Sequence, residues 1–439
     1  MTGAQTPEAV SPKLLKVMQR AKRDPEVRFT SLAHLLDEDA LRRAYDRIRK
    51  DAAVGVDGVT KQEYGQCLED NVRRLHEQLR TMRYQHQPVR RVHIPKERDR
   101  TRPIGISTVE DKIVQGALTE VLEAIYEPAF LDCSWGFRPG RGAHDALRVL
   151  NEALYQGEVN WILEADIQTF FDSIDRKMLV EMLQERIADT SLLRIIGKCL
   201  HVGILDGASF SRPDEGTVQG SSLSPMLGNI FLHHVLDVWF QRDVSPRMKG
   251  RARLIRYADD FIIAFEREDD ARRVMSVLGK RFEKFGLRLH PEKTRLLPFR
   301  RPKPRQPGRK GPATFDFLGF TVYWRCSRWG TWAPSFKTRK ARLQRAIRSV
   351  NTWCRSHRHE AVREQHAALC RRLNGHLNYY GVNWNQRSAA LVIRHAERAW
   401  HKWLSRRSQK RMSWKRFKEV LRVFPLPRPT VRVQLWQTA

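Results

Sequence analysis

The sequence predicts an α+β protein, and three features of the chain carry this prediction. Short apolar runs on both sides of Tyr257–Asp260 indicate two largely buried strands joined by a tight hairpin. A third apolar run, which begins at Trp161, predicts a strand that ends at Asp166. Residues 111–126 instead place apolar residues at helical spacing, as in an amphipathic helix. Antiparallel strands combined with helices are typical of the α+β class.

The other predicted elements follow from the N-terminus onward. Residues 1–50 have a mostly helical pattern, and residues 61–83 have the pattern of a charged amphipathic helix. Residues 89–96 indicate an edge strand, because a proline near its end cannot donate to a ladder. A second strand begins at Arg102. Further helices are predicted over residues 178–200, 226–240, 269–285 and 338–354, and a further strand near residues 315–320.

Positive charge is concentrated in the last third of the chain. The 439 residues include 80 Lys and Arg against 49 Asp and Glu, a formal net charge of +31. Residues 295–439 hold 34 of the basic and five of the acidic residues, which leaves residues 1–294 almost neutral. Nine of the twelve tryptophans also lie in the basic part. Basic residues interleaved with large aromatic residues are typical of a folded module that binds nucleic acid.

Cysteine usage and hydropathy exclude several other classes of protein. The six cysteines are scattered and form no CxxC pair, so we expect neither a disulfide framework nor a structural zinc site. The first residues lack the apolar core of a signal peptide, and no stretch of about 18 apolar residues occurs. We therefore expect a cytoplasmic, nucleoid-associated protein without a membrane partner.

Acidic residues end the predicted strands. Asp166 follows one strand, and Asp259 and Asp260 lie at the tip of the hairpin. An Asp-Asp pair in a turn is by itself ordinary turn chemistry, and it is the second acidic strand that favours a metal site. Three aspartates on adjacent strand ends can hold two divalent cations about 3.5–4 Å apart, the arrangement used for in-line nucleotidyl transfer.

Several motifs match one family in order and spacing. Three of them are Asp166–Phe171, Gln219–Pro225 and Tyr257–Asp260, which are similar to the palm motifs of reverse transcriptases. Further similar segments are residues 94–106, 136–147, 317–320 and 373–380. Together they resemble the bacterial group II intron-encoded reverse transcriptase/maturase over roughly residues 45–385.

The resemblance implies a right-hand polymerase. It places the fingers and palm in residues 1–325, an α-helical thumb of the maturase type (domain X) in residues 326–385, and a small basic DNA-binding region in residues 386–439. Many family members end in an endonuclease domain with paired cysteines and an HNH-type histidine site, and this chain has no such cysteines. It therefore resembles the shorter members, which need a pre-existing primer or nick.

The resemblance also assigns catalytic roles. Asp166 and Asp259 would bind two Mg²⁺ ions, and Asp260 would be the more peripheral third ligand. Lys293 stands at the position of a lysine proposed to protonate the leaving pyrophosphate, a general-acid role. A lysine that only lies near backbone phosphates is the open alternative.

Four residues resemble those that contact the incoming dNTP. Lys96 and Arg102 are similar to the fingers cations that grip the triphosphate, with solvated basic residues as the alternative. Phe171 would exclude a 2′-hydroxyl beneath the sugar, with a plain core aromatic as the alternative. Gln219 resembles the residue that contacts the sugar and base region, although Val218 stands where the family usually has proline.

The function implied is an RNA-directed DNA polymerase that binds its intron RNA, assists its splicing and copies it into DNA during retrohoming. Its partners would be group II intron RNA or another RNA template, a DNA primer and target, and dNTPs. Two alternatives stay open: a host-adapted reverse transcriptase in DNA repair or phage defence, and a splicing cofactor with a vestigial polymerase. The intact aspartates argue against the last one. The sequence does not indicate an oligomeric state.

Overall fold

The computed structural model describes residues 11–95, 101–206, 209–211, 216–217, 220–303, 313–327, 330–407 and 411–436. The chain forms two compact units. The first contains residues 1–142 and 165–296, and the second contains residues 143–164 and 297–439. This division differs from the three predicted functional regions, which stay predictions.

Helices make up about half of the described chain. They are α1 (Pro12–Arg23), α2 (Glu38–Arg47), α3 (Lys61–Gln66), α4 (Leu68–Arg80), α5 (Val109–Tyr126), α6 (Ala143–Tyr155), α7 (Arg176–Gln184), α8 (Thr190–Leu200), α9 (Ser224–Leu232), α10 (Glu268–Glu283), α11 (Lys340–Ser356), α12 (Val362–Tyr380), α13 (Gln386–Leu404) and α14 (Trp414–Val423). Two π-helical turns, His233–Asp237 and Phe240–Val244, follow α9. None of these helices is long and apolar enough to cross a membrane.

The strands form three sheets, which confirms the predicted α+β class. They are β1 (Val89–Pro95), β2 (Thr101–Ile106), β3 (Trp161–Asp166), β4 (Ile204–Asp206), β5 (Ser209–Ser211), β6 (Ala252–Tyr257), β7 (Asp260–Phe265), β8 (Arg295–Pro298), β9 (Phe315–Phe317), β10 (Phe320–Cys326) and β11 (Trp332–Thr338). The strand orders are β2-β1-β4-β5, β6-β7-β3-β8 and β11-β10-β9.

The prediction of an edge strand over residues 89–96 is wrong. In the structure β1 is an inner strand, antiparallel to β2 and parallel to β4. One of the two edge strands is β2, which carries Pro103 in its middle, where a missing N–H leaves no gap in an outer ladder. Pro95 instead lies at the very end of β1, so it does not interrupt the pairing.

Helix α5 forms the core of the first unit. The side chain of Thr108 caps its N-terminus by accepting a hydrogen bond from the N–H of Asp111. The predicted apolar face is confirmed, because Ile113, Ala117 and Val121 are at most 1% exposed. Helices α1, α2 and α9 pack against this long helix, so the apolar surface that the sequence places on it is removed from water.

A single hydrophobic core joins the last helices of the second unit. Leu369 and Leu377 of α12 and Trp400 of α13 are fully buried in this core, together with Cys354 of α11 and Phe417 of α14. The predicted functional boundary at residue 385 therefore lies at the start of a helix that belongs to the same core as α11 and α12. Removal of residues 386–439 would expose that core to water.

One carboxyl group on α5 makes the stability of the first unit depend on pH. Burial raises the pKa of Glu123 to about 7, and the charges of Glu127 and Glu120 add to this effect. The unfolded chain releases this proton near the ordinary value of 4.5, but the folded protein holds it up to about pH 7. Folding therefore loses stability as the pH rises between these two values.

We expect Glu123→Gln to be more stable than the wild type at pH 8, by about 2 kcal/mol, but not at pH 4. Urea unfolding of both proteins at the two pH values measures this difference. The exposed residue Glu181, on α7, provides the control substitution Glu181→Gln. A stability difference for Glu123→Gln that is the same at both pH values would contradict the buried-carboxyl explanation.

Candidate active site

Strand β3 brings Asp166 to the candidate site. Ile162, Leu163 and Ala165 are buried and hold the strand in the core, while Asp166 remains partly exposed at its end. The main-chain carbonyl of Asp166 accepts a hydrogen bond from the N–H of His290 at 2.8 Å. The segment that follows α10 is thereby fixed next to the end of the strand.

Lys293 lies in that segment and pairs with Asp166. Its Nζ is 2.5 Å from Asp166 Oδ2, and its side chain is about half exposed. Residues 290–293 form a turn in this segment, because the N–H of Lys293 donates to the carbonyl of His290. The structure thus brings together two of the predicted catalytic residues that are separated by most of the palm sequence.

The hairpin of β6 and β7 carries the other two aspartates. Its pairing ends at Tyr257 and Asp260, which leaves Ala258 and Asp259 as a two-residue turn. Ala258 has a φ of 57°, a left-handed value that the tight turn requires and that glycine adopts more easily. Asp259 is partly buried, whereas Asp260 is exposed at the first position of β7.

Asp259 lies within electrostatic range of several other site residues. Burial raises the pKa of Asp259, and the negative charge of Asp166 raises it further. The positive charges of Arg102 and Lys293 act in the opposite direction. The charges of Asp166, Arg102 and Lys293, which lie on three other segments, therefore all act on Asp259. All four residues were predicted from the sequence as site residues.

The donor set suits a divalent cation of the magnesium type. Carboxylate oxygens are the ligands that Mg²⁺ prefers. In the structure one oxygen of Asp166 pairs with a cation, the ammonium group of Lys293. Across the described ranges, no three side chains of His, Cys, Asp or Glu are grouped closely enough to hold a metal ion. Asp166, Asp259 and Asp260 therefore stay predictions as metal ligands.

Phe171 lies five residues after Asp166, in the short helical turn Phe170–Asp172. Phe170 is buried, as predicted for a core residue, but Phe171 is only partly buried. Both rings pack against Gly228 of α9, where a Cβ would lie 3.0 Å from Phe170 Cε1 and 3.2 Å from Phe171 Cε1. The Phe171 carbonyl accepts a hydrogen bond of 2.6 Å from the N–H of Thr217.

Two residues that closely follow the predicted nucleotide contact Gln219, Gly220 and Ser222, are held in place by other elements. At Gly220, φ is 109°, and a Cβ would lie 2.4 Å from the carbonyl oxygen of Gly105 in β2. The Oε1 of the buried Gln115 accepts hydrogen bonds from the N–H and the hydroxyl of Ser222. Gln219 itself lies outside the described residues, and so does Lys96, which was predicted to contact the triphosphate.

A buried polar cluster, which was not predicted from the sequence, contacts the hairpin turn. Arg256 of β6 is fully buried, and its guanidinium pairs with Asp237, which is also fully buried. Ser134 and Asn229 complete the cluster through hydrogen bonds to the same guanidinium. A signal was present in the sequence, because one arginine interrupts an apolar strand and one aspartate interrupts an apolar helix.

Comparison with known proteins identifies the family of this chain. Residues 94–322, more than half of the chain, match the family model described as reverse transcriptase (RNA-dependent DNA polymerase). The matched region contains the strand of Asp166, the hairpin of Asp259 and Lys293.

Curated relatives include proteins encoded by introns. The group II intron-encoded protein LtrA of Lactococcus lactis subsp. cremoris is 32% identical over 243 residues, which cover 54% of this chain and 40% of LtrA. Protein YkfC of Escherichia coli K12 is 30% identical over 287 residues, which cover 57% of this chain and 75% of YkfC. Nuclear intron maturase 2 (mitochondrial) of Arabidopsis thaliana is 33% identical over 91 residues, covering 21% and 12%. The match thus spans less than half the length of LtrA.

Proposed function

Because the chain belongs to the reverse transcriptase family, we propose that it is an RNA-directed DNA polymerase with its active site at Asp166 and Asp259. The observation that carries this proposal is the pairing of the two strands. The strands β3 and β7 are neighbours in one sheet; β3 ends at Asp166, and β7 begins at Asp260, directly after Asp259 of the hairpin turn. The charge of Asp166 acts on Asp259, as expected for carboxylates that share a cation.

In this proposal Asp166 and Asp259 hold magnesium, with Asp260 as the more peripheral ligand. Reverse transcriptases generally use a divalent metal ion, and two such ions when bound would activate the primer 3′-hydroxyl and neutralise charge on the triphosphate. The protein contributes rigid placement of the two carboxylates, one at a strand end and one in a two-residue turn. Rigid placement reduces the reorganisation needed during the reaction.

Cationic side chains of the first unit would hold the triphosphate. Arg102 lies on β2, opposite Ile94, and its charge reaches Asp259 and Asp172. We propose that Arg102 and Lys96 grip the triphosphate and that Gln219 contacts the nucleotide. Lys293 would change partner from Asp166 to the pyrophosphate, where its ammonium group can donate a proton to the leaving oxygen. A purely electrostatic role of Lys293 at a phosphate remains the alternative.

Primer extension tests the polymerase proposal directly. We expect the purified protein to extend a DNA primer annealed to an RNA template when dNTPs and Mg²⁺ are supplied, and to stop when either is omitted. A template of unrelated sequence should serve as well, because the proposed active-site contacts are to phosphates, sugar and the nucleotide. Absence of extension on every RNA template, with the primer–template bound, would refute the proposal.

Phe171→Ala is expected to relax the selection of the sugar. If the ring excludes a 2′-hydroxyl, its removal should lower the preference for dNTPs over NTPs by about 10- to 100-fold. Single-nucleotide incorporation with matched dNTP and NTP measures this ratio. Phe170→Leu alters the adjacent buried ring and should leave the ratio unchanged. If Phe171→Ala also leaves the preference for dNTPs over NTPs unchanged, Phe171 is a plain core aromatic and does not select the sugar.

We further propose that the protein binds group II intron RNA and assists its splicing. The names of LtrA and of the Arabidopsis maturase support this proposal, as does the basic second unit. Splicing of the RNA encoded around the gene, with and without the protein, tests it. If no ribozyme is encoded there, the host-adapted reverse transcriptase becomes the better assignment.

A further inference from the structure

Arg256 carries its positive charge in the buried interior, where an unpaired charge is unfavourable. It lies on β6 directly after the buried residues Leu254 and Ile255, and its own side chain is 0% exposed. A buried guanidinium is tolerated only when it is paired and its donors are satisfied. Asp237 provides the pairing in bidentate form, with Nε donating to Oδ1 at 2.7 Å and Nη2 to Oδ2 at 2.5 Å.

The other three N–H groups of Arg256 also have acceptors. Nη1 donates to Asn229 Oδ1 and to the main-chain carbonyl of Ala258, both at 3.0 Å. Nη2 donates to Ser134 Oγ at 2.8 Å. A guanidinium has five N–H donors, so every donor of Arg256 is used. A lysine has three donors on one nitrogen and cannot reproduce this fork.

One of these acceptors, the Ala258 carbonyl, belongs to the two-residue turn that carries Asp259. Ala258 precedes Asp259 and has the left-handed φ of 57° that a side chain makes unfavourable. The turn is confined from the other side by Gly136, where a Cβ would lie 2.5 Å from the Ala258 nitrogen. Asn229 connects Arg256 to Gly136, because its Oδ1 accepts from the guanidinium and its Nδ2 donates to the Gly136 carbonyl at 2.7 Å.

We propose that Arg256 is a positioning residue for the metal site, which holds the Ala258 carbonyl and thereby fixes the direction in which Asp259 presents its carboxylate. Asp237 and Asn229 hold the guanidinium in turn. This inference rests on the proposed function, since it takes Asp259 to be a metal ligand. Residues that orient metal ligands through hydrogen bonds commonly change metal affinity when they are substituted.

The first experiment compares Arg256→Lys with Arg43→Lys. Arg43 of α2 is the control, because it also pairs with a buried acidic residue, Glu120 of α5, and its described hydrogen bond goes to that residue. Mn²⁺ binding to the substrate-free protein, measured by electron paramagnetic resonance, reports on the site without catalysis. We expect Arg256→Lys to weaken Mn²⁺ binding about tenfold and Arg43→Lys to leave it unchanged.

A second variant removes the network without leaving a buried unpaired charge. The double substitution Arg256→Met/Asp237→Leu replaces the ion pair by apolar side chains, a change that folded proteins often tolerate. Thermal unfolding should show a folded protein, and Mn²⁺ binding should fall at least as far as in Arg256→Lys. In nucleotide incorporation, the Mg²⁺ concentration at half-maximal rate should rise while the affinity for primer–template stays the same.

The outcomes separate this inference from the proposed function. Mn²⁺ binding equal to wild type in both Arg256 variants would overturn the positioning role. If Asp259→Ala also binds Mn²⁺ like the wild type, the metal site itself is wrongly assigned and both proposals fail. If the wild type binds Mn²⁺ through Asp259, and the Arg256 variants bind it weakly, the inference stands even when no primer is extended.

Discussion

Asp259→Ala is expected to lower the rate of DNA synthesis by at least about a thousandfold. The carboxylate lies at the tip of the β6–β7 hairpin, within electrostatic reach of Asp166, and its loss would remove a metal ligand from both proposed ions. Metal ions stabilise the transition state by several kcal/mol, which corresponds to about three powers of ten in rate. Affinity for primer–template should remain nearly unchanged, because we propose that phosphate contacts of the basic residues in 295–439 supply it.

Single-turnover incorporation of one dNTP measures the rate, and equilibrium binding of a labelled primer–template measures the affinity. Asp260→Asn is the informative neighbour, since Asp260 is exposed at the start of β7 and is proposed as the more peripheral ligand. We expect a smaller loss for Asp260→Asn than for Asp259→Ala. Activity of Asp259→Ala within tenfold of the wild type would contradict the assignment of the metal site.

The second large effect concerns the salt dependence of nucleic-acid binding. Arg387, Arg394, Arg398 and Lys402 are all exposed on α13, at spacings of seven, four and four residues that place them on one stripe. Each phosphate that a cation neutralises contributes about −0.9 to the slope of log K against log salt concentration for duplex DNA. Replacement of all four by glutamine should therefore make the slope less negative by about 2–4 units.

Duplex-DNA affinity at several salt concentrations measures this slope. Substitution is the right test because α13 shares a core with α11 and α12, so that a truncation would report on unfolding. The control variant replaces Arg73, Arg80, Arg272 and Arg273, four exposed residues of the almost neutral part of the chain, by glutamine. An equal change of slope in both variants would show that net charge alone matters and that the α13 stripe is solvated surface.

The sequence predicted the site best where the local pattern is strong. The hairpin at Tyr257–Asp260 was predicted from two apolar runs, and the structure confirms its strands and its two-residue turn. The strand that ends at Asp166 was predicted in the same way and is confirmed. These elements depend on burial of neighbouring residues in the chain, which is visible in one sequence.

Features that depend on distant partners were not predictable in this way. A single helix was expected over residues 178–200, but the structure has two, because Asp189 caps α8 and also accepts hydrogen bonds from the N–H groups of Leu32 and Ala33. The helix expected over residues 226–240 passes into π-helical turns, and Asp237 lies in the first of them. The partner of Asp237 is on another element, so neither residue alone indicated the ion pair.

The close approach of Gly136 to the hairpin restricts how this protein can diverge. The space that a side chain would fill at position 136 is occupied by the backbone of Tyr257 and Ala258. A larger residue there would require a rebuilt turn, and a rebuilt turn would move Asp259 unless the loop of Gly136 changed as well. We therefore expect substitutions at position 136 and in the turn to occur together, although the two segments lie far apart in the gene.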